Sequence, residues 1–203
     1  MPRVISYVDG FNLYFWLKAK GLERFLWLDV RALSATLCQP GQRLVEAKYF
    51  TSRVGAPPDK VKRQSCHLEA LQTLPGVSMH FGTYQMNPFT CRRCSWTQAI
   101  PSEKMTDVNI AVELMTDAFQ DRFDVALLIS ADSDLVGPVV AVQRLFPEKR
   151  VVVAFPPERS SANLRRVASA YLQIGRGSVA RSQLPETVMS ATGFPLERPA
   201  TWR

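Results

Sequence analysis

The sequence predicts an α/β fold in which a mostly parallel central sheet is covered by helices on both faces. Segments with strand character alternate with segments with helix character along most of the chain, a pattern typical of βαβ units. The run Val125 to Ile129 contains five apolar residues without alternation, as expected for a strand that is buried on both faces. A length of 203 residues, with 46% hydrophobic and 21% charged residues, suits one globular domain.

The elements follow one another in a regular order. Asp29 is expected to cap a helix that runs to Leu37. Residues 86–102 are predicted to form an irregular loop. Residues 176–203 lose the alternating pattern, so we predict a domain at 1–175 and a C-terminal tail at 176–203 that packs on it through Phe194 and Trp202. The predicted strands are 3–8, 44–51, 76–84, 123–130 and 150–155, and the predicted helices are 12–20, 29–37, 59–74, 103–120, 132–145 and 160–171.

Composition and charge narrow the class of protein. The net charge of +7 favours a polyanionic partner, although a basic protein without such a partner is the plain alternative. No apolar run approaches the ~18 residues of a membrane helix. The apolar N-terminus is interrupted by Asp9 and Asn12, so we interpret it as a strand instead of a signal peptide and expect a cytoplasmic protein that does not bind membranes. Its four cysteines are too few for a disulfide framework.

Acidic residues occur where sites form in parallel sheets. Asp9 ends the first strand, and Asp132 and Asp134 follow the buried strand at 123–130, so all three are expected at the carboxyl edge of the sheet. Asp107 lies at the leading end of the apolar stripe of the helix at 103–120, where a carboxylate needs a partner. Hard oxygen ligands without cysteine or histidine suit Mg²⁺ or Mn²⁺, which we predict as the compensating charge.

Each acid also has a purely structural interpretation. Asp132 or Ser133 would serve as a helix cap, Asp9 as part of a turn, and Asp107 as a first-turn residue favoured by the helix dipole. Their coincidence at one edge of one sheet favours the metal site. Metal ions there would activate water and screen a phosphodiester, and Lys104 would neutralise developing charge unless it is a solvent-exposed helix lysine.

Four motifs together resemble the NYN family of PIN-like nucleases, the bacterial group of LabA-like proteins. They are "YVDGFNLY", "EKMTDVNIAVELMTDA", "FDVALLISADSDL" and "VVVAFPP…SANLRRVA", and the similarity covers about residues 3–174. The resemblance implies a Rossmann-like α/β/α sandwich that hydrolyses RNA with Mg²⁺ or Mn²⁺, as an endoribonuclease. It implies metal ligands at Asp9, Asp107, Asp132 and Asp134, a lysine at Lys104, and substrate contacts from Asn12, Ser130 and Ser133. The family often has glycine at the position of Ala131. Alanine fits there unless the backbone of this residue has a positive φ.

The segment "CRRC" carries two further hypotheses. Arg92 and Arg93 are expected to bind RNA phosphates, because the loop leads into the helix that carries Asp107. Cys91 and Cys94 make up half of a zinc site, with free thiols as the alternative.

Two other functions stay open at this point. One is a non-catalytic RNA-binding or adaptor module, and the other is a different Mg-dependent phosphohydrolase. The latter usually has Asp-x-Asp after the first strand, where this chain has Asp-Gly-Phe-Asn. A homodimer is also left open.

Overall fold

The centre of the molecule is a six-stranded sheet in which all strands are parallel. The computed structural model describes the backbone of residues 1–203 and all side chains except those of residues 84, 86 and 99–102. Its strands are β1 (Arg3–Asp9), β2 (Arg43–Thr51), β3 (Val77–Phe81), β6 (Val125–Ile129), β7 (Arg150–Phe155) and β8 (Ala170–Gln173). They are arranged in the order β3-β2-β1-β6-β7-β8, so the chain reverses its winding direction between β1 and β6.

Helices cover both faces of this sheet. Alternate residues of β1 point to opposite sides: Val4 and Val8 belong to one buried cluster, and Ile5 and Tyr7 belong to the other. The helices are α1 (Gly10–Ala19), α2 (Val30–Leu37), α3 (Pro58–Gln72), α4 (Thr106–Phe119), α5 (Val136–Leu145), α6 (Ala162–Val167) and α7 (Arg176–Arg181). The first cluster contains side chains of α1, α2 and α3, and the second contains side chains of α4, α5 and α6. The α/β/α sandwich predicted from the sequence is therefore confirmed.

A buried ion-pair network attaches α4 to the sheet. Lys48 of β2, whose side chain is only 2% exposed, places Nζ 2.6 Å from Glu113 Oε2 and 2.6 Å from Asp117 Oδ2. Asp117 also accepts hydrogen bonds from the Tyr7 hydroxyl at 2.7 Å and from Arg122 Nη1 at 2.8 Å. A buried charge needs such partners, and here every member of the network has at least one.

The segment predicted as an irregular loop is an antiparallel hairpin, and that prediction was wrong. Its strands are β4 (Thr83–Thr90) and β5 (Thr97–Lys104), and α4 begins at Thr106 instead of 103. Met105 has φ 79°, which separates the end of β5 from the helix. Glu103 Oε1 accepts the Thr106 amide at 3.0 Å, so this residue satisfies a free N–H of the first turn from outside the helix.

The predicted helix at 160–171 also needs correction. Helix α6 ends at Val167, and residues Ala170–Gln173 form the edge strand β8, parallel to β7. The four residues alternate between half-buried and exposed, which is the pattern of an edge strand. Four residues are too few for this alternation to be distinguished in the sequence from the preceding helix.

Residues after 175 contribute to the first buried cluster. Val179, Leu184, Leu196 and Trp202 are all buried in it. Strands β9 (Thr187–Met189) and β10 (Pro195–Glu197) form a two-stranded antiparallel sheet. Trp27 Nε1 donates a hydrogen bond to the Pro185 carbonyl at 2.7 Å, which attaches this segment to the rest of the protein. Among the described residues, the helices are too short or too polar to cross a bilayer.

Candidate active site

The neighbouring strands β1 and β6 bring Asp9 and Ser130 together at the winding reversal. Asp9 ends β1 and caps α1, because its Oδ1 accepts the Asn12 amide at 2.9 Å. Its Oδ2 accepts the Ser130 hydroxyl at 2.8 Å, and the residue is only 4% exposed. The crevice at such a reversal is where open α/β sheets bind ligands.

Gly10 permits this close arrangement of β1, α1 and β2. A Cβ atom at this position would lie 2.5 Å from the ring of Tyr49 and 2.7 Å from the Phe50 carbonyl. Both contacts are too short for any side chain, and one of them is with backbone. The sequence Asp-Gly therefore places a carboxylate at the strand end while it lets the helix approach β2.

Asp132 belongs to the same hydrogen-bonded set. Its amide donates to Ser130 Oγ at 3.0 Å, so Ser130 connects it to Asp9. Asp132 Oδ1 accepts the Asp134 amide at 3.0 Å and caps the short 3₁₀ helix Ser133–Leu135. Ala131 has no positive φ, so the alanine at this position is unstrained. Ser133 and Asp134 are exposed to solvent.

Asp107 and Lys104 approach from the other side of the crevice. Asp107 lies in the first turn of α4 and is half-buried. Lys104, Asp107 and Asp134 line one open cleft, together with the side chain of Pro138. Lys104 is the last residue of β5, so it faces the acids from the hairpin and not from the helix.

Burial and neighbouring carboxylates raise the pKa values of two aspartates in this cluster. Burial, with smaller contributions from the charges of Asp107 and Asp132, raises the pKa of Asp9 to about 7, although hydrogen bonds from Asn12 and Ser130 oppose this shift. Burial and then the charge of Asp132 raise the pKa of Asp107 to about 6, with further effects of Glu103 and Asp134. Like charges held together without compensation are typical of sites that receive a cation.

The donor chemistry suits a hard divalent cation. The cluster offers carboxylate oxygens, and the side-chain oxygen of Asn12, one turn after Asp9, is buried without a hydrogen-bond partner. Among the described side chains, however, no three Asp, Glu, His or Cys residues lie close enough to hold one ion together. Magnesium often binds one or two carboxylates and fills its other positions with water, so direct ligation by all four aspartates is not required. The assignment of four ligands stays a prediction.

The structure separates the "CRRC" residues from the acids. Cys91, Arg92, Arg93 and Cys94 lie at the turn of the hairpin, whereas α4 begins at its base. Each strand has eight residues, so the turn lies about 25 Å from the base at ~3.3 Å per residue. Phosphate binding by Arg92 and Arg93 therefore stays a prediction about a remote part of the surface.

A second cleft, which the sequence did not indicate, lies between α1 and α3. Its wall is mainly apolar and includes Tyr14, Tyr49 and Trp202, and its cavity volume of about 60 Å³ exceeds the ~10–15 Å³ needed by one water molecule. Lys60 and Arg63 also line it, with Lys60 Nζ 6.0 Å from the centre of the Tyr14 ring. Its residues come from α1, β2, α3 and the C-terminal segment, so no single motif contains it.

Unpaired positive charge surrounds this cleft. Burial lowers the pKa of Lys60, and repulsion by Lys18 and Arg63 lowers it further. No carboxylate of the described residues forms an ion pair with any of these three side chains. An anionic group bound at the cleft would relieve this repulsion.

The fold and the acidic crevice define a Rossmann-like protein with a carboxylate cluster at its winding reversal. The family model of the NYN domain matches residues 3–175, so the chain belongs to the NYN domain family, a PIN-like nuclease family. The match covers most of the chain and includes every aspartate of the cluster.

Similar proteins include one sequence relative and one solved structure. One, from Pseudomonas putida (strain DSM 28022 / S16), is named 6-hydroxy-3-succinoylpyridine 3-monooxygenase HspA; it is 27% identical and aligns with 98% of this chain and 75% of its own length. The other is a crystal structure of the protein of unknown function VPA0982 from Vibrio parahaemolyticus RIMD 2210633. It has a TM-score of 0.55 and 20% identity, covering 86% of this chain and 94% of that one, and it supports the fold alone.

Proposed function

We propose that this protein is a Mg²⁺- or Mn²⁺-dependent ribonuclease that hydrolyses phosphodiester bonds at the carboxylate cluster. The supporting observation is that Asp9, Asp107 and Asp132, from three different elements, lie near enough for their charges to add to the burial that raises the pKa values of Asp9 and Asp107. Membership of a PIN-like nuclease family supports the same reaction class.

The residues of the crevice have distinct tasks in this proposal. Asp9, Asp107, Asp132 and Asp134 would hold the ion directly or through water, and a bound ion supplies an activated water and screens the phosphate charge. Ser130 orients two of these residues, because its hydroxyl donates to Asp9 and accepts from the Asp132 amide. Lys104, beside Asp107 and Asp134, offsets negative charge on the reacting phosphate.

The second cleft is proposed to hold an unstacked base of single-stranded RNA. Its aromatic wall provides stacking partners, which every base can use irrespective of sequence. Lys60 and Arg63 would bind the adjoining phosphate. Gly10, the residue that follows Asp9, is one of the residues that line the cleft, so the cleft adjoins the carboxylate cluster at this point.

Cleavage of single-stranded and structured RNA with Mn²⁺ tests the ribonuclease directly. Asp132→Asn should reduce the rate by about 10²–10³-fold, since it removes one preorganised charge. Asparagine caps helices about as well as aspartate, so the 3₁₀ helix should be retained. The matched control is Asp29→Asn: Asp29 also caps a helix, with its Oδ1 2.8 Å from the Ala32 amide, but it lies outside the cluster.

Equal cleavage by both variants would contradict the assigned site. Tight RNA binding without cleavage by the unaltered protein would instead favour the non-catalytic RNA-binding module.

A further inference from the structure

Cys91 and Cys94 lie where the two strands of the hairpin are joined. Cys91 directly precedes the turn that Arg92, Arg93 and Cys94 form. The Ser95 amide donates to the Cys91 carbonyl at 2.9 Å, and Ser95 has φ 57°. This left-handed residue directly after the second cysteine leads the chain towards β5, and the Cys91 amide donates to the Trp96 carbonyl at 2.8 Å. Both cysteines thus lie inside one closed turn.

The spacing of the two cysteines suits a zinc site. Two sulfur ligands separated by two residues are a usual spacing in structural zinc sites. Each cysteine binds zinc as a thiolate and releases its proton.

One chain cannot complete this site. A structural zinc ion takes four ligands in tetrahedral geometry. The only other cysteines and histidines in the sequence are Cys38, Cys66, His67 and His80. Cys38 follows α2, Cys66 and His67 are part of α3, and His80 lies on β3, before the base of the hairpin. All four belong to the body of the molecule, and the turn is about 25 Å from the base of the hairpin.

The turn is free to meet a second molecule. The described side chains around the cysteines are exposed, including Phe89 at 50% and Trp96 at 56%. These two aromatic residues provide apolar surface next to the sulfur atoms. An identical turn, related by a twofold axis, would supply the two missing sulfur ligands and two further aromatic residues.

We propose that Cys91 and Cys94 of two copies of this chain bind one zinc ion, which joins the copies at their hairpin turns. The four thiols release four protons as the ion binds, so no redox partner is required. Zinc with four thiolates carries a charge of 2−, and Arg92 and Arg93 of both copies surround it with four positive charges. Without zinc these arginines repel each other across the twofold axis, so dimerisation depends on the metal. This site is independent of the proposed ribonuclease activity.

The test uses the full-length protein, reduced and freed of metal with a chelator. Zinc is then titrated while bound zinc and molecular mass are measured together. We expect saturation at one ion per two chains, with the mass rising from 22.8 kDa to twice that value. Cobalt in place of zinc should give the absorption of a tetrahedral tetrathiolate complex.

Variants identify the ligands. Cys91→Ser and Cys94→Ser should each lose the bound zinc and remain monomeric, whereas Cys38→Ser and Cys66→Ser should behave like the unaltered protein. One ion per monomeric chain, or no zinc retained by the reduced protein, would overturn the proposal. A dimer that forms equally well without zinc would do so too. RNA cleavage by the unaltered protein is measured in the same samples. If the protein forms the zinc dimer but does not cleave RNA, only the proposed ribonuclease activity is contradicted.

Discussion

Asp9 has two structural roles in addition to the one proposed for it in catalysis. It caps α1 through Oδ1 and receives the Ser130 hydroxyl at Oδ2, so it is fixed by two hydrogen bonds in a buried position. A helix cap normally lies at the surface, where its charge is solvated. Here burial raises the pKa of Asp9 to about 7, which makes its ionisation costly for the fold.

This shift predicts how stability depends on pH. The folded pKa of Asp9 is about 7 against an ordinary value of 3.8, so the unfolded chain loses this proton first. The contribution of Asp9 to stability is complete below pH ~4, falls as pH rises towards 7, and is lost above it. In the presence of a chelator, Asp9→Asn should therefore gain stability over the unaltered protein between pH 5 and pH 8, as measured by urea unfolding.

Asp124 provides a control of opposite sign. Hydrogen bonds from Arg3 lower the pKa of Asp124 to about 2. Its stabilising effect is present above pH ~4 and is lost as pH falls through 2, so Asp124→Asn should be the less stable protein at both pH 5 and pH 8. If Asp9→Asn showed no gain at pH 8, ionisation of Asp9 would not destabilise the fold.

At the scale of elements, α4 depends on the buried network around Lys48. Removing Asp117 would leave Lys48, Tyr7 and Arg122 without one of their partners inside the protein. Breaking a buried pair in this way typically costs about 3–5 kcal/mol, so Asp117→Ala should lower the free energy of unfolding by that amount. Glu186→Ala, which breaks an exposed ion pair with Arg198, should change it by less than ~1 kcal/mol in the same denaturant titration. Equal effects of the two variants would mean that the network does not anchor the helix.

Helix α3 carries the prediction about substrate binding. Lys60 and Arg63 line the second cleft, whereas Lys62 on the same helix is exposed and does not. If Lys60 and Arg63 bind phosphate, replacing each with glutamine should reduce by about 1 the slope of log affinity for RNA against log salt concentration. Lys62→Gln has the same charge change and should alter affinity only slightly. If the slope changed equally in all three variants, these residues would attract RNA only through their general positive charge and would not contact particular phosphates.

At the scale of the whole molecule, most of the central sheet and the acidic cluster could be predicted from the sequence. Strands β1, β2, β3, β6 and β7 and helices α1 to α5 were predicted, because buried strands such as Val125–Ile129 and capped helices leave strong local patterns. Asp9 and Asp132 were expected together because the carboxyl ends of parallel strands meet at one edge. Asp107 was expected there because it begins the apolar stripe of a helix.

Features without a local pattern were missed. The described side chains of the hairpin β4–β5 are mostly exposed, and apolar and polar residues alternate only over residues 83–87, too short a run to indicate two strands. Strand β8 has only four residues at the edge of the sheet. The second cleft requires Tyr14, Tyr49 and Trp202, which lie far apart in the sequence, to meet in space.

The central claim, that the carboxylate cluster holds a divalent cation, is tested most directly by thermal unfolding with and without Mn²⁺. Binding to the folded state alone should stabilise the unaltered protein by about 2.7 kcal/mol when free metal is one hundred times its dissociation constant. Asp132→Asn removes a ligand and a repelling charge, so it should be at least as stable without metal and should lose the gain from Mn²⁺. Asp29→Asn should keep that gain. An equal rise in melting temperature for Asp132→Asn and the unaltered protein would contradict the metal site.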